Sequence, residues 1–68
     1  MNRLFRVMVE PKWADELMVI CETSDVEEAG RLYNEIKDGM YLSYKADTVK
    51  VFEAMFEDVS ALMETDNV

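Results

Sequence analysis

The first stretch in which apolar and polar positions alternate is RLFRVMV, residues 3–9, with Phe5, Val7 and Val9 on one side and Leu4, Arg6 and Met8 on the other. A period of two built from β-favouring residue types predicts a strand. Pro11, which has no N–H to pair, closes it, and a short polar connection from Glu10 to Asp15 leads into ELMVICET. There Leu17, Val19 and Cys21 alternate with Met18 and Ile20, which predicts a second strand, hairpin-paired with the first. Residues 12–22 also carry a helical reading, because Pro11 suits a first helical position, Asp15 and Glu16 suit a first turn, and Trp13, Leu17 and Ile20 have helical spacing.

Ser24 followed by Glu27 has the form of a capping box and predicts the start of a helix. Val26, Ala29, Gly30, Leu32, Tyr33 and Ile36 then share one side at about 100° per residue, and Gly39 supplies the left-handed residue that ends the helix. MYLSYK, residues 40–45, returns to a period of two and predicts a third strand. Asp47 or Thr48 can cap a last helix through about Met63, with Val51, Phe52, Met55, Phe56, Val59, Leu62 and Met63 on an arc of roughly 140°. The expected architecture is α+β: a single β-β-α-β-α domain over residues 1–68, with a three-stranded sheet, two helices and a frayed tail at 65–68. If the first helix covers Phe5, Val7, Val9, Leu17 and Val19, then Leu4, Met8, Met18, Ile20 and Tyr41 lie on the reverse side. They need cover from the last helix, a second subunit or a partner.

Composition narrows the chemistry. Half of the 68 residues are apolar, which suits a packed domain, and no apolar stretch reaches the roughly 18 residues of a bilayer crossing, so no membrane association and a cytoplasmic location are expected. There is no histidine, one cysteine (Cys21), two glycines and one proline. Common zinc sites, Ser-His and Cys-His pairs, phosphate-cradling loops and disulfide frameworks all lack parts. No catalytic residue, no metal and no cofactor is expected, and the chain is read as a non-enzyme that works by contact. Fifteen acids against seven bases give a net charge of −8, which opposes direct nucleic-acid binding because that binding relies on Lys and Arg at phosphates.

The charge is uneven: residues 51–68 hold Glu53, Glu57, Asp58, Glu64 and Asp66 and no base. On the expected last helix, Glu53, Glu57 and Glu64 fall within about 40° of one another, with Glu53 and Glu57 about 6 Å apart along the axis, an acidic stripe at a spacing like that of backbone phosphates. It reads either as a nucleic-acid mimic or as an ordinary solvated face. Glu27 and Glu28 can extend that surface, although Arg31 can pair with Glu27 and Glu35 at i±4. Trp13 is either a partner anchor or a lid folded on the core. The six methionines are expected mainly to fill the core, and Cys21 to be a buried thiol.

In its length, its charge, its β-β-α-β-α order and the stripe Glu53, Glu57, Glu64, the chain resembles the small acidic proteins that phages encode to disable host enzymes, including anti-CRISPR proteins and inhibitors of uracil-DNA glycosylase. CETSDVEEAG resembles the acidic strand-edge stretch of the glycosylase inhibitors; their apolar plugging loop has no counterpart here, and no site residue is carried over. The resemblance implies a non-catalytic inhibitor that binds a basic nucleic-acid-binding protein or defence enzyme of a host, and the contact residues expected from the charge pattern and the aromatic of the polar connection are Glu53, Glu57, Asp58, Glu64, Glu27, Glu28 and Trp13. The alternative expectation is a small homodimeric assembly module that buries an apolar sheet face.

Overall fold

A computed structural model describes residues 3–54 and 57–64. The first expected strand forms as β1 (Phe5–Val9), and its alternation is literal: Phe5, Val7 and Val9 are buried while Arg6 and Met8 point the other way, half-buried. The strand reading of residues 12–22 holds for β2 (Met18–Thr23), which pairs antiparallel with β1. The pairing is irregular, because Val7 lies opposite Cys21 but Met8 lies opposite Val19, leaving Ile20 as an extra residue. Such a bulge moves alternate side chains to the other face. Cys21 and Ile20 therefore pack towards the core, and Val19, expected under the helix, stands on the reverse face at 46% exposure.

Helix α1 (Val26–Lys37) is capped one residue later than the box Ser24–Glu27 implies. Asp25 Oδ1 accepts the N–H groups of Glu27 (2.9 Å) and Glu28 (3.4 Å), and Thr23 Oγ1 accepts the N–H of Asp25 and donates to Glu28 Oε1. The helix ends on Gly39 at φ +81°, with Gly39 N–H donating to Ile36 C=O and Met40 N–H to Glu35 C=O, the double bond pattern of a left-handed C-terminal cap. Ala29, Tyr33 and Ile36 form the buried stripe, as the 3.6-residue period implies.

Beyond Gly39 the structure overturns two expectations. MYLSYK is not a strand of the sheet: only an isolated bridge joins Tyr44 to Pro11, and Met40 and Leu42 are exposed. Pro11 has no N–H to extend a ladder, so the period of two there finds no partner strand. The last helix is replaced by a 3₁₀ turn (Ala46–Thr48), β3 (Lys50–Glu53), β4 (Glu57–Asp58) and a single helical turn, α2 (Ser60–Met63). β3 pairs antiparallel with the free edge of β1, placing Val51 against Val7, and the order of the four-stranded sheet is β2-β1-β3-β4. The apolar arc at 51–63 was compatible with a helix, but the buried second edge of β1 needs hydrogen-bond partners, and those come from residues about 45 positions later in the chain. The β3–α2 junction is closed by Val59 N–H to Val51 C=O (2.8 Å) and by Val51 N–H to Ser60 Oγ (2.9 Å). Met55, Phe56, Asp66 and the tail 65–68 lie outside the described residues.

The core of Phe5, Val7, Val9, Ala29, Tyr33, Ile36, Val49, Val51, Val59 and Met63 lies between one face of the sheet and the helices. α2 packs beside α1, where Met63 Sδ comes within 3.4 Å of the place a side chain on Gly30 would occupy. Of the methionines expected to fill the core, Met63 does so, whereas Met18 and Met40 are exposed and Met8 sits on the reverse face. No helix among the described residues is long and apolar enough to cross a membrane.

Removing the Ile36 side chain, 1% exposed, is expected to cost about 2–5 kcal/mol in urea unfolding. Asp25→Ala should cost about 1 kcal/mol and Ser24→Ala less than about 0.5 kcal/mol, an order that reverses if Ser24 is the working cap.

Candidate functional site

The residues expected to form an acidic stripe are built into three different elements. Glu53 ends β3 and Glu57 starts β4, where the two oppose each other in register. Glu53 accepts a two-pronged hydrogen bond from Arg3, whose guanidinium lies 5.0 Å over the Phe5 ring; the bond from Arg3 Nη2 is 2.8 Å. That bond holds the Glu53 carboxyl below its ordinary range. Glu64, just after α2, accepts from Tyr33 Oη (2.7 Å) and Lys37 Nζ (2.9 Å), which lower its carboxyl in that order. Asp58 accepts from the Ser60 hydroxyl (2.6 Å) and N–H (2.9 Å), starting α2 and lowering its own pKa, and Lys50 stands 4.0 Å away. The single helical row of Glu53, Glu57 and Glu64 is not formed, because its backbone is two short strands and one turn. Glu27 and Glu28 lie in the first turn of α1, where they favour the helix dipole; Arg31 pairs with Glu35 (3.1 Å) and not with Glu27.

Trp13 is not a lid on the core. It is 75% exposed in the excursion between β1 and β2, which is pinned to residues 43–45 by Lys12 N–H to Ser43 C=O, Lys45 N–H to Glu10 C=O and the Lys45 ammonium on Glu10, Asp15 and the Ala14 carbonyl. Leu42, 81% exposed, stands on the facing segment. Cys21 is half-buried, and desolvation, with Glu28 nearby, pushes its thiol up.

The structure gathers a different surface, on the side of the sheet that α1 and α2 leave open. Arg6, Met8, Leu17, Val19 and Phe52 line a shallow depression of about 440 Å³. Across the strands the register runs Glu22–Arg6–Phe52–Asp58, with Lys50 beside Met8. Arg6 donates to Glu22 Oε2 (2.8 Å) and to the Ala54 carbonyl (2.9 Å), so its guanidinium is satisfied within the chain. Of the reverse-face residues expected from alternation, Met8 is here; Ile20 packs on the core and Tyr41 is in the loop after α1, donating to Glu35 Oε1 (2.9 Å). Sequence reasoning missed Val19 and Leu17 because of the bulge, and Phe52 because it was placed on a helix. The signal present in the sequence was the alternation of Arg6 and Met8 within β1.

A second depression of about 410 Å³, between α1 and α2, is lined by Val26, Glu27, Gly30, Arg31, Asn34, Leu62 and Met63. Among the described residues no group of three or more His, Cys, Asp or Glu is placed to hold a metal ion. Comparison with protein-family models, curated proteins and solved structures found no match.

The Glu64 contacts carry a pH signature. A carboxyl lowered in the folded chain contributes stability in full above its ordinary range and loses it as the pH falls through the lowered folded value. Glu64→Gln is therefore expected to lower the melting temperature at pH 7, and the gap to the unsubstituted protein should close on acidification; a gap independent of pH would show that the Tyr33 and Lys37 contacts contribute nothing through charge.

Proposed function

We propose that the chain is a non-catalytic interaction module whose working surface is the open sheet face around Met8, Leu17, Val19 and Phe52. The observation that supports this reading is the one-sided cover of the sheet: both helices pack against the side of Phe5, Val7, Val9 and Val51, and nothing among the described residues covers the other. Met8, Leu17 and Phe52 are half-buried and Val19 is exposed on that face, and apolar side chains there gain roughly 25 cal/mol for each Å² that a partner removes from water. The paired charges at its margins favour the same reading, since Arg6 and Glu22 enter an interface already neutralised and incur no unpaired buried charge. Neither depression brings a nucleophile together with a base. The nucleic-acid-mimic expectation loses the row of carboxylates it required, because Glu53 and Glu64 are engaged by Arg3 and Lys37.

Val19 is exposed on an edge strand, so Val19→Lys tests the face without removing a core residue. Proteins captured from a cell lysate on the immobilised chain are expected to bind at least about tenfold more weakly to Val19→Lys, to keep their affinity for Leu42→Lys, and to resist about 1 M salt. Undiminished binding to Val19→Lys would refute the assignment of this face.

A further inference from the structure

We infer that the cleft between α1 and α2 receives a lysine or arginine side chain of a partner protein, at a surface separate from the open sheet face. The cleft, of about 410 Å³, has apolar walls: Val26 of α1 is 42% exposed and Leu62 of α2 68% exposed, while Met63 is buried. It is formed before anything enters it, because Asn34 Nδ2 donates to the Gly30 carbonyl (2.8 Å) and to the Met63 carbonyl (2.9 Å) and so ties α2 to α1. Gly30 also lines the cleft. It sits inside the twelve-residue α1, where glycine is the least favourable residue after proline. Its backbone is helical, without the positive φ that demands glycine, and a Cβ built there would meet Met63 Sδ at 3.4 Å, the movable part of a flexible side chain. Neither backbone nor packing requires a glycine; the missing side chain keeps the cleft open.

Glu27 supplies the charge. It lines the same cleft, and among the described residues its carboxylate has no hydrogen-bond or ion-pair partner. Arg31, one turn further along α1 and also at the cleft, donates instead to Glu35 (3.1 Å). An apolar wall beside an unopposed carboxylate complements a group that combines an aliphatic stem with a cationic head, and lysine and arginine are the side chains of that kind. A glutamate would meet like charge there, and an aliphatic side chain would leave Glu27 unpaired. Because Glu27 is exposed, its charge contributes selectivity more than strength, and one such side chain alone binds with a dissociation constant in the millimolar range. It acts as one contact of a larger interface.

The chain has two glycines, so in an isotope-labelled sample of the full chain the Gly30 amide signal reports on the cleft and the Gly39 signal serves as an internal control. The probes are Nα-acetyl-lysine methylamide and its norleucine and glutamate counterparts, which keep a similar backbone and change only the head group. The lysine probe is expected to shift the Gly30 and Leu62 signals saturably and to leave Gly39 in place. Norleucine should bind about threefold more weakly, and glutamate should not bind. Glu27→Gln should reduce lysine binding to the norleucine level, whereas Glu16→Gln, which removes an exposed acid elsewhere, should not change it. Gly30→Ala should raise the melting temperature and, read at Leu62, weaken lysine binding at least about threefold. Val19→Lys should leave the cleft unaffected, so failure here and failure of the sheet-face assignment are read separately. Equal binding of the lysine and glutamate probes, or no shift of Gly30 with any probe, overturns the inference. So does an equal loss in Glu16→Gln, which would assign the lysine binding to diffuse attraction by the net charge of −8. A lowered melting temperature in Gly30→Ala would show that packing against Met63 demands the glycine, and likewise overturns it.

Discussion

The pairing of β1 on both of its edges is the constraint from which the rest of the molecule follows. Phe5, Val7 and Val9 are almost wholly withdrawn from water, and the backbone between them must be hydrogen-bonded on both sides. β2 serves one edge through a hairpin excursion, and β3 serves the other from the far end of the chain. Once Val51 lies opposite Val7, the segment that follows cannot continue as a helix along its own apolar arc. It turns back as β4, and among its described residues Ser60–Met63 is helical, held by the Asp58 side chain and by Ser60 against Val51.

The same pairing sorts the charges. Acids that the linear sequence places in one block are distributed by β3, β4 and α2 to different partners: Glu53 to Arg3, Glu64 to Lys37 and Tyr33, and Asp58 to Ser60 and Lys50. The block reads as a concentration of unopposed charge only while its bases, more than twenty residues earlier in two of the three cases, are out of view. What results is that Glu53, Asp58 and Glu64 are each engaged by a donor of the fold.

The bulge at Ile20 has an effect out of proportion to its size. Inserting one residue between the partners of Val7 and Met8 sends Val19 outward and Ile20 and Cys21 inward, and so decides which apolar side chains finish the core and which stand on the open face. Reading the alternation of ELMVICET straight through assigns Val19 to the wrong side, since nothing in the local pattern of β2 marks the insertion.

Several features were determined by local sequence alone. These are the strand at Phe5–Val9 with its inward and outward sides, the amphipathic helix with Ala29, Tyr33 and Ile36 inside, its end at Gly39, and the α+β class. Each rests on interactions within a few residues, such as side-chain period, an acidic cap, or a glycine free to adopt positive φ. Tertiary structure alone decided that KVFE is a strand and MYLSYK is not, that the C-terminal glutamates are divided among elements, and that Phe52 joins Met8 and Val19 on one surface. The physical reason is that a strand is stabilised by hydrogen bonds to another part of the chain, so its existence depends on which distant edge is vacant and buried, a quantity no local period encodes.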